Sequence, residues 1–484
     1  MNWILLTIFM SLVIYYSEQK WIRNDKSEAI KADSDEVVIP KIITDNNRIQ
    51  GSNNIKILLS NEQSTLFNIL ENTNRSMFIT GKAGTGKSVL LKFFKEHSRK
   101  NIVSVAPTGV AALNIGGQTI HSLFKIYPGV IDLRSLKLGS EKELIKHIDT
   151  LLIDEISMVR ADLIDAIDLK LKKAKKNKLP FGGVQVVMFG DLFQLPPILS
   201  DNAIKKYFEE TYGGYFFFNA NVWEKTSLEV YELSRIFRQK DDKFIAILNA
   251  IRTGYIGSEL IEELNKRAFQ NIPKTNLITL AATNNSVNRI NATKLSELKD
   301  KVYEYKADIE GAIKPNEFIA EQTIRLKVGS QIMLLKNDQE KRWVNGTIGV
   351  ISSLKPNEIK VKLNNVEHKI PKATWTKIKY TYDSDSNRVS EEAVGSLTQY
   401  PIRLAWAITI HKSQGQTFDS CLVDLSSGIF AHGQTYVALS RCRTLKGLYL
   451  KSPLKDSEIK VASEVVKFMK FTKTLPVNID NTLV

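Results

Sequence analysis

At 484 residues, with a formal net charge of +15 and a pI near 9.4, the chain exceeds what one hydrophobic core supports, so two principal domains with small insertions are expected. Hydrophobic residues at 43% and charged residues at 25% exclude wholesale disorder and a polytopic membrane protein, and the positive field suits a polyanionic partner such as nucleic acid. Cys421 and Cys442 have neither paired spacing nor a nearby His/Asp/Glu set, which excludes a zinc site and leaves both as reduced thiols.

The chain opens on an apolar run, Trp3 to Tyr16 (WILLTIFMSLVIYY), shorter than the roughly 18 to 20 residues that span a bilayer. No basic residue precedes it and no small-x-small site follows, so a cleaved secretory signal is not expected. Residues 1–23 read as an apolar N-terminal segment. If it enters a membrane as an anchor, Lys20, Arg23 and Lys26 place its C-terminal side in the cytoplasm; the alternatives are a tail docked on the protein and a start codon placed too early. Residues 24–54, rich in Asn, Asp, Ser and Lys, read as a flexible linker.

From residue 55 onward, strand-length apolar runs (Met77 to Thr80, Ile102 to Ala106, Leu151 to Asp154, Val184 to Gly190) alternate with helical patterns (Val89 to Phe94, Leu163 to Ala174). That alternation predicts an α/β fold, a mostly parallel sheet with ligands bound beyond the strands' carboxyl ends. A second series (Leu228 to Leu233, Phe244 to Arg252, Leu277 to Thr283) resumes after Pro401. The expected layout is therefore a first domain over 55–219, a second over 220–302 and 398–475, an inserted all-β module over 303–397 with a hairpin loop at Asp383 to Asn387, and a tail over 476–484. The charge run Lys170 to Lys178 ends an amphipathic helix and reads as a solvated face.

Four motifs fall at strand ends. Gly81-Lys82-Ala83-Gly84-Thr85-Gly86-Lys87-Ser88 follows a strand and opens a helix, the context a phosphate-binding loop requires. Its backbone N–H groups and the helix dipole would cradle phosphates, Lys87 would reach the β- and γ-phosphates, and the Ser88 hydroxyl would ligate Mg²⁺. Leu151 to Glu155 ends a strand in two carboxylates: Asp154 would hold Mg²⁺ through water, and Glu155 would orient and deprotonate the attacking water. In Gly190 to Pro197, two prolines fix a loop whose Gln194 can contact that water or the γ-phosphate. Finally, Ile236-Phe237-Arg238-Gln239 and Val437-Ala438-Leu439-Ser440-Arg441 offer arginines which, delivered from a second domain, would neutralise transition-state charge on closure.

Taken in order, LSNEQ at 59–63, GKAGTGKS at 81–88, APTGVAALNIGGQTIHSLF at 106–124, IDEISMV at 153–159, PFGGVQVVMFGDLFQLPP at 180–197, FRQ at 237–239, TIHKSQGQTF at 409–418 and VALSRCRT at 437–444 resemble the PIF-type helicases of superfamily one, type B, relatives of the RecD-like enzymes. The resemblance covers roughly residues 57 to 450. It implies an ATP- and Mg²⁺-dependent helicase that moves 5′ to 3′ on single-stranded DNA and unwinds duplex, with single-stranded and forked DNA as partners, two RecA-like domains and a small β-barrel inserted in the second. The work implied lies in DNA repair, recombination, replication or telomere maintenance.

By the same resemblance Gln63 would read the adenine, Gly415 would lie at the nucleotide, Arg238 and Arg441 would sit on the γ-phosphate, and Thr108, Thr119, His121, His411, Lys412 and Ser413 would contact DNA. Residues 124–148 would form a small wedge, with Phe124 and Tyr127 as strand separators. Where family members carry an acidic-aromatic pair after the Gly-Asp, this chain has Leu192-Phe193. A monomer is expected, cytoplasmic or nucleus-associated, with membrane contact through the N-terminal run as the alternative. Two other readings stay open at this point: a protein using ATP as a conformational switch, and an RNA-directed or relaxase-associated motor, though no relaxase-like His cluster precedes the motor.

Overall fold

The structure, a computed structural model, describes residues 59–472 apart from 200, 227, 274–276, 312–317, 319 and 384–387. The apolar run at 3–16, the linker at 24–54 and the tail at 476–484 lie outside the described residues. Among those described, no helix is long and apolar enough to cross a membrane.

Six strands form the first sheet: β1 (Met77–Gly81), β2 (Ile102–Ala106), β3 (Gln118–Thr119), β4 (Thr150–Ile153), β5 (Gln185–Phe189) and β6 (Glu229–Leu233), in the order β3-β2-β4-β5-β1-β6. Every pairing is parallel. β1, β4 and β5 are buried along their whole length, which is why they read as continuous apolar runs rather than alternating ones. Residues of one face, among them Met77, Ile79, Leu152 and Phe189, pack on Leu66, Leu90 and Phe94. Those of the other, Phe78, Val103, Leu151, Ile153 and Met188, join the larger core. The helix Lys87–His97 begins directly after the loop that leaves β1.

The strand at 229–233, expected in the second series, belongs to this sheet and pairs with β1 from Met77↔Glu229 to Gly81↔Leu233. Its apolar run carried no signal of which sheet it joins; the register against β1 decides that, and it brings the chain after Leu233 alongside the loop after β1.

A second, four-stranded parallel sheet contains β7 (Ile278–Ala281) and three strands after Pro401. Between them lies the all-β segment: β8 (Tyr303–Lys306), β9 (Asp308–Gly311), β10 (Thr323–Leu326), β11 (Gln331–Leu334), β12 (Ile348–Lys355), β13 (Glu358–Leu363), β14 (Val366–Ile370), β15 (Ala373–Asp383), β16 (Arg388–Gln399) and β17 (Ile402–Leu404). The chain then returns through β18 (Ala407–Thr409), β19 (Cys421–Asp424) and β20 (Leu448–Leu450), completing the order β18-β7-β19-β20.

The all-β segment extends past residue 397, because β17 pairs with β11. Its described strands join as a five-stranded sheet, β14-β13-β12-β11-β17, a three-stranded one, β15-β16-β9, and the pair β10-β8; no ladder among them closes a barrel. The hairpin β15/β16, paired to its tip at Asp383↔Arg388, instead reaches the edge of the first sheet. There Gln118 Nε2 donates to the Ile378 carbonyl at 3.1 Å, Lys95 meets Glu391 at 2.8 Å, and the His147 and Tyr382 rings stack at 3.5 Å.

In the lysine run, Lys173, Lys176 and Lys178 are exposed as a solvated face requires, but Lys170 is not. Lys170 is buried, 2.6 Å from the buried Glu141, and Lys172 holds Asp168 at 2.6 Å. The helix Ala161–Lys175 buries eleven residues, more than an amphipathic stripe provides, and its one buried cation, Lys170, persists inside by pairing. Both cysteines are buried and free.

Candidate functional site

The loop after β1 wraps toward the helix that follows. Gly84 and Gly86 have φ of +87° and +80°, which L side chains rarely adopt, and both positions are also crowded. A Cβ on Gly84 would lie 2.5 Å from the Arg238 Cβ, and one on Gly86 2.5 Å from the Gln63 amide nitrogen. Gln63, at the start of helix Asn61–Asn72, is fully engaged: its Oε1 accepts from the Ser60 N–H (2.9 Å) and its Nε2 donates to the Gly86 carbonyl (3.1 Å). It thus braces the loop. Lys87 Nζ bonds the Gly81 and Lys82 carbonyls at 2.6 and 3.1 Å, a cation folded back into its own loop, and burial depresses its pKa against the pull of Asp191, Glu155 and Asp154. Ser88 faces solvent at the helix start.

β4 delivers the carboxylates. Asp154 Oδ1 accepts from the Glu155 N–H at 2.9 Å, and Glu155 itself sits in the left-handed region, φ +51°, a turn that swings it out of line with the strand. Burial pushes Asp154 up to about 6. Burial, then the neighbouring Asp154, push Glu155 up to about 7 against the pull of Lys87 and Arg441. Two acids held this close to neutrality beside a lysine mark a site built to receive positive charge. Asp154 and the Ser88 hydroxyl are oxygen donors of the kind Mg²⁺ takes; among the described residues no three His/Cys/Asp/Glu side chains gather as a metal cage.

β5 leads into Asp191 and Gln194. The Gln194 amide donates to Asp191 Oδ2 at 3.4 Å, and Asp191 is held by the buried Arg252, 3.1 Å away on helix Asp242–Thr253. Burial works against the Asp191 charge, but Arg252 and Lys87 outweigh it and hold its pKa down. The Arg252 guanidinium also lies 4.3 Å from the Phe193 ring centroid, so Leu192 and Phe193 are buried packing residues. Arg252 was not legible in the sequence.

Arg238 enters from a direction other than the one expected. It follows β6, and the Phe237 N–H bonds the Gly84 carbonyl at 2.8 Å, so this arginine is carried by the first sheet and not across a cleft. Arg441 does come from the other sheet, just beyond helix Gln434–Leu439. It is fully buried, with Nε on the Val437 carbonyl (2.9 Å) and a terminal nitrogen on the Ser440 hydroxyl (2.8 Å); burial first, then Arg238, weigh against its charge.

Contacts bind the two parts at the loop. Arg238 donates to the Ser440 carbonyl (3.3 Å), and Gln239 to the carbonyls of Ser440 and Cys442 (3.2 and 3.1 Å). The Ala83 N–H, an amide expected to face phosphate, donates to the Tyr436 hydroxyl at 3.0 Å. From the 409–418 segment, Gln414 Nε2 reaches Glu155 Oε2 at 3.0 Å and Gln194 Oε1 at 3.3 Å. Sequence reasoning missed Gln414, although it stands inside the quoted 409–418 motif, and Tyr436, which immediately precedes the 437–444 motif; Lys412 and Arg441 in those motifs drew the attention because they carry charge. Gly415 follows Gln414 and is exposed.

The expected DNA contacts divide. Thr108 and Thr119 cap short helices, accepting from the Ala111 and Ser122 N–H groups at 3.2 Å. His121 and His411 are half-buried, and burial lowers both pKa values. Lys412 is exposed. Ser413 is withdrawn: it is fully buried and its hydroxyl donates to the Ile410 carbonyl at 2.7 Å. Of the two wedge residues, Tyr127 is 89% exposed whereas Phe124 is 0% exposed in the core. Phe124 is therefore a packing residue, because the apolar periodicity of helix Ile120–Phe124 points it inward with Ile120 and Leu123.

Residues 58–260 match the model of the PIF1-like helicase family, and residues 312–354 that of the 2B domain of DNA helicase Pif1. The chain is 32% identical over 411 residues to the ATP-dependent DNA helicase Pif1 of Bdellovibrio bacteriovorus, covering 82% of this chain and 88% of that one. Among solved structures, Bacteroides sp. Pif1, unliganded or in complex with ADP-AlF4, is 38% identical, with a TM-score of 0.79 over 86% of this chain and 97% of its own. The same protein bound to single-stranded DNA is similar with a TM-score of 0.62 and 39% identity over the same shares. With the phosphate loop, the carboxylate pair and the buried arginine in place, these matches show that the chain belongs to the PIF1-like helicase family.

Proposed function

We propose that this protein is an ATP-driven DNA helicase that translocates 5′ to 3′ on single-stranded DNA and opens duplex ahead of it, acting as a monomer. The observation that carries the reading is the convergence of Lys87, Asp154, Glu155, Gln194 and Arg441, from both parallel sheets, on one loop. Its family supports the substrate.

In this reading the amides of residues 81–87 hold the triphosphate, Lys87 exchanges its loop carbonyls for β- and γ-phosphate oxygens, and Gln63, Lys82 and Gly415 border the nucleotide. Ser88 and, through water, Asp154 would hold Mg²⁺, which when bound would supply charge neutralisation at the phosphates. Glu155 takes the proton of the attacking water, Gln194 orients that water, and Arg238 and Arg441 stabilise the charge that spreads over the transferred phosphoryl group. The hydroxyl of Tyr436 must leave the Ala83 amide as phosphate enters, so nucleotide binding and the packing of the second sheet compete for one donor. Thr108, Thr119, His121, His411 and Lys412 are the proposed DNA contacts, and Tyr127 the residue placed to meet the duplex.

The proposal is tested by measuring ATP turnover without polynucleotide, with single-stranded DNA and with single-stranded RNA. Strong stimulation by DNA and weaker stimulation by RNA is expected. Equal turnover in all three would replace the motor with an ATP-dependent switch, and stimulation by RNA alone would replace the substrate.

A further inference from the structure

Gln414 donates one amide nitrogen to both residues assigned to the attacking water, Glu155 at 3.0 Å and Gln194 at 3.3 Å. Its own backbone N–H is bonded to the His411 carbonyl at 3.2 Å. Between them, Ser413 is pinned in the interior, its hydroxyl on the Ile410 carbonyl and its N–H on the carbonyls of Thr409 (3.0 Å) and Ile410 (3.2 Å).

The turn from Ile410 to Gln414 is consequently a stiff crank. One end carries His411 and the exposed Lys412, the other the amide that grips Glu155. A phosphate that moves the first end moves the second, because the intervening residue has no freedom to absorb the shift. The grip also occupies one carboxylate oxygen and a lone pair of the Gln194 carbonyl, the groups that must turn to meet water. The conformation that holds this grip is closer to the DNA-free Bacteroides structures, unliganded or in complex with ADP-AlF4, each with a TM-score of 0.79, than to the one bound to single-stranded DNA, 0.62.

We propose that Gln414 is a positioning residue that restrains Glu155 and Gln194 until single-stranded DNA engages the His411–Lys412 end of its turn, making hydrolysis conditional on DNA. This inference rests on the DNA-motor reading above. Breaking the grip should free Glu155 without DNA and so raise the basal rate.

The experiment compares the full chain with Gln414→Met, which keeps the side chain's length and loses the donor, and with Gln414→Ala. ATP turnover is measured with and without single-stranded DNA, and DNA affinity by fluorescence anisotropy. Both variants are expected to raise the DNA-independent rate about fivefold or more, a coupling of ordinary size, and to lower the stimulation ratio by the same factor with DNA affinity unchanged. A residue that merely supports the fold would lower both rates together and leave the ratio intact. An unchanged ratio, or a basal rate at or below that of the unmodified protein, overturns the proposal. Absence of DNA stimulation in the unmodified protein would overturn the motor reading itself.

Discussion

Replacing Glu155 by Gln is expected to lower DNA-stimulated ATP turnover by roughly 10² to 10⁴, the range that a positioned general base contributes, while ATP still binds. The substitution keeps the shape of the side chain and its place beside Gln414 but removes the proton acceptor. The pH dependence identifies the cause. Burial and Asp154 push the Glu155 carboxyl up to about 7, and only its ionised form can take a proton from water. The kcat/KM of the unmodified protein, which reports the free enzyme, should therefore be lost as pH falls through about 7, and this limb should vanish in the Gln variant. A variant that retains both turnover and limb would show that another group is the base.

Arg441→Ala should cost about 10³ to 10⁵ in turnover, as removal of a transition-state arginine does, with a much smaller effect on nucleotide affinity. Arg441 is anchored through the Val437 carbonyl and the Ser440 hydroxyl, so the second sheet's packing decides where its charge points. Arg441→Lys should not restore the rate, since an ammonium lacks the planar fork that spans two phosphate oxygens. Because the side chain is buried, the thermal midpoint must be measured beside the rate; loss of turnover with folding intact is the expected result. Near-normal turnover in the Ala variant would remove Arg441 from the reaction. Arg238 differs in kind: it leaves β6 of the same sheet that holds the loop, although its guanidinium bonds the Ser440 carbonyl of the second part.

What the sequence revealed followed from locality. The phosphate loop, the Asp154–Glu155 pair and Gln194 each sit directly after an apolar strand, and a parallel sheet aligns those strand ends by its topology alone. What it concealed depends on partners far along the chain. Arg252 lies 61 residues from Asp191, Gln414 lies 259 residues from Glu155, and Tyr436 lies 353 residues from Ala83; no periodicity or spacing encodes such meetings.

Other departures came from reading residue type without depth. Lys170 was assigned to a solvated face because lysines usually are, yet Glu141 follows it inside. Ser413 and Phe124 looked exposed within motifs, and the interior claimed both. The strand at 229–233 was legible as a strand, but its sheet was fixed only by pairing with β1.

The central claim, a motor that opens duplex DNA with a fixed direction, is tested most directly by an unwinding assay on duplexes carrying a single-stranded tail at either the 5′ or the 3′ end, with ATP and Mg²⁺. The account predicts strand separation on the 5′-tailed substrate, dependent on ATP and abolished by Glu155→Gln. Unwinding of the 3′-tailed substrate in its place would contradict the direction, and ATP turnover with no unwinding of either would contradict the helicase.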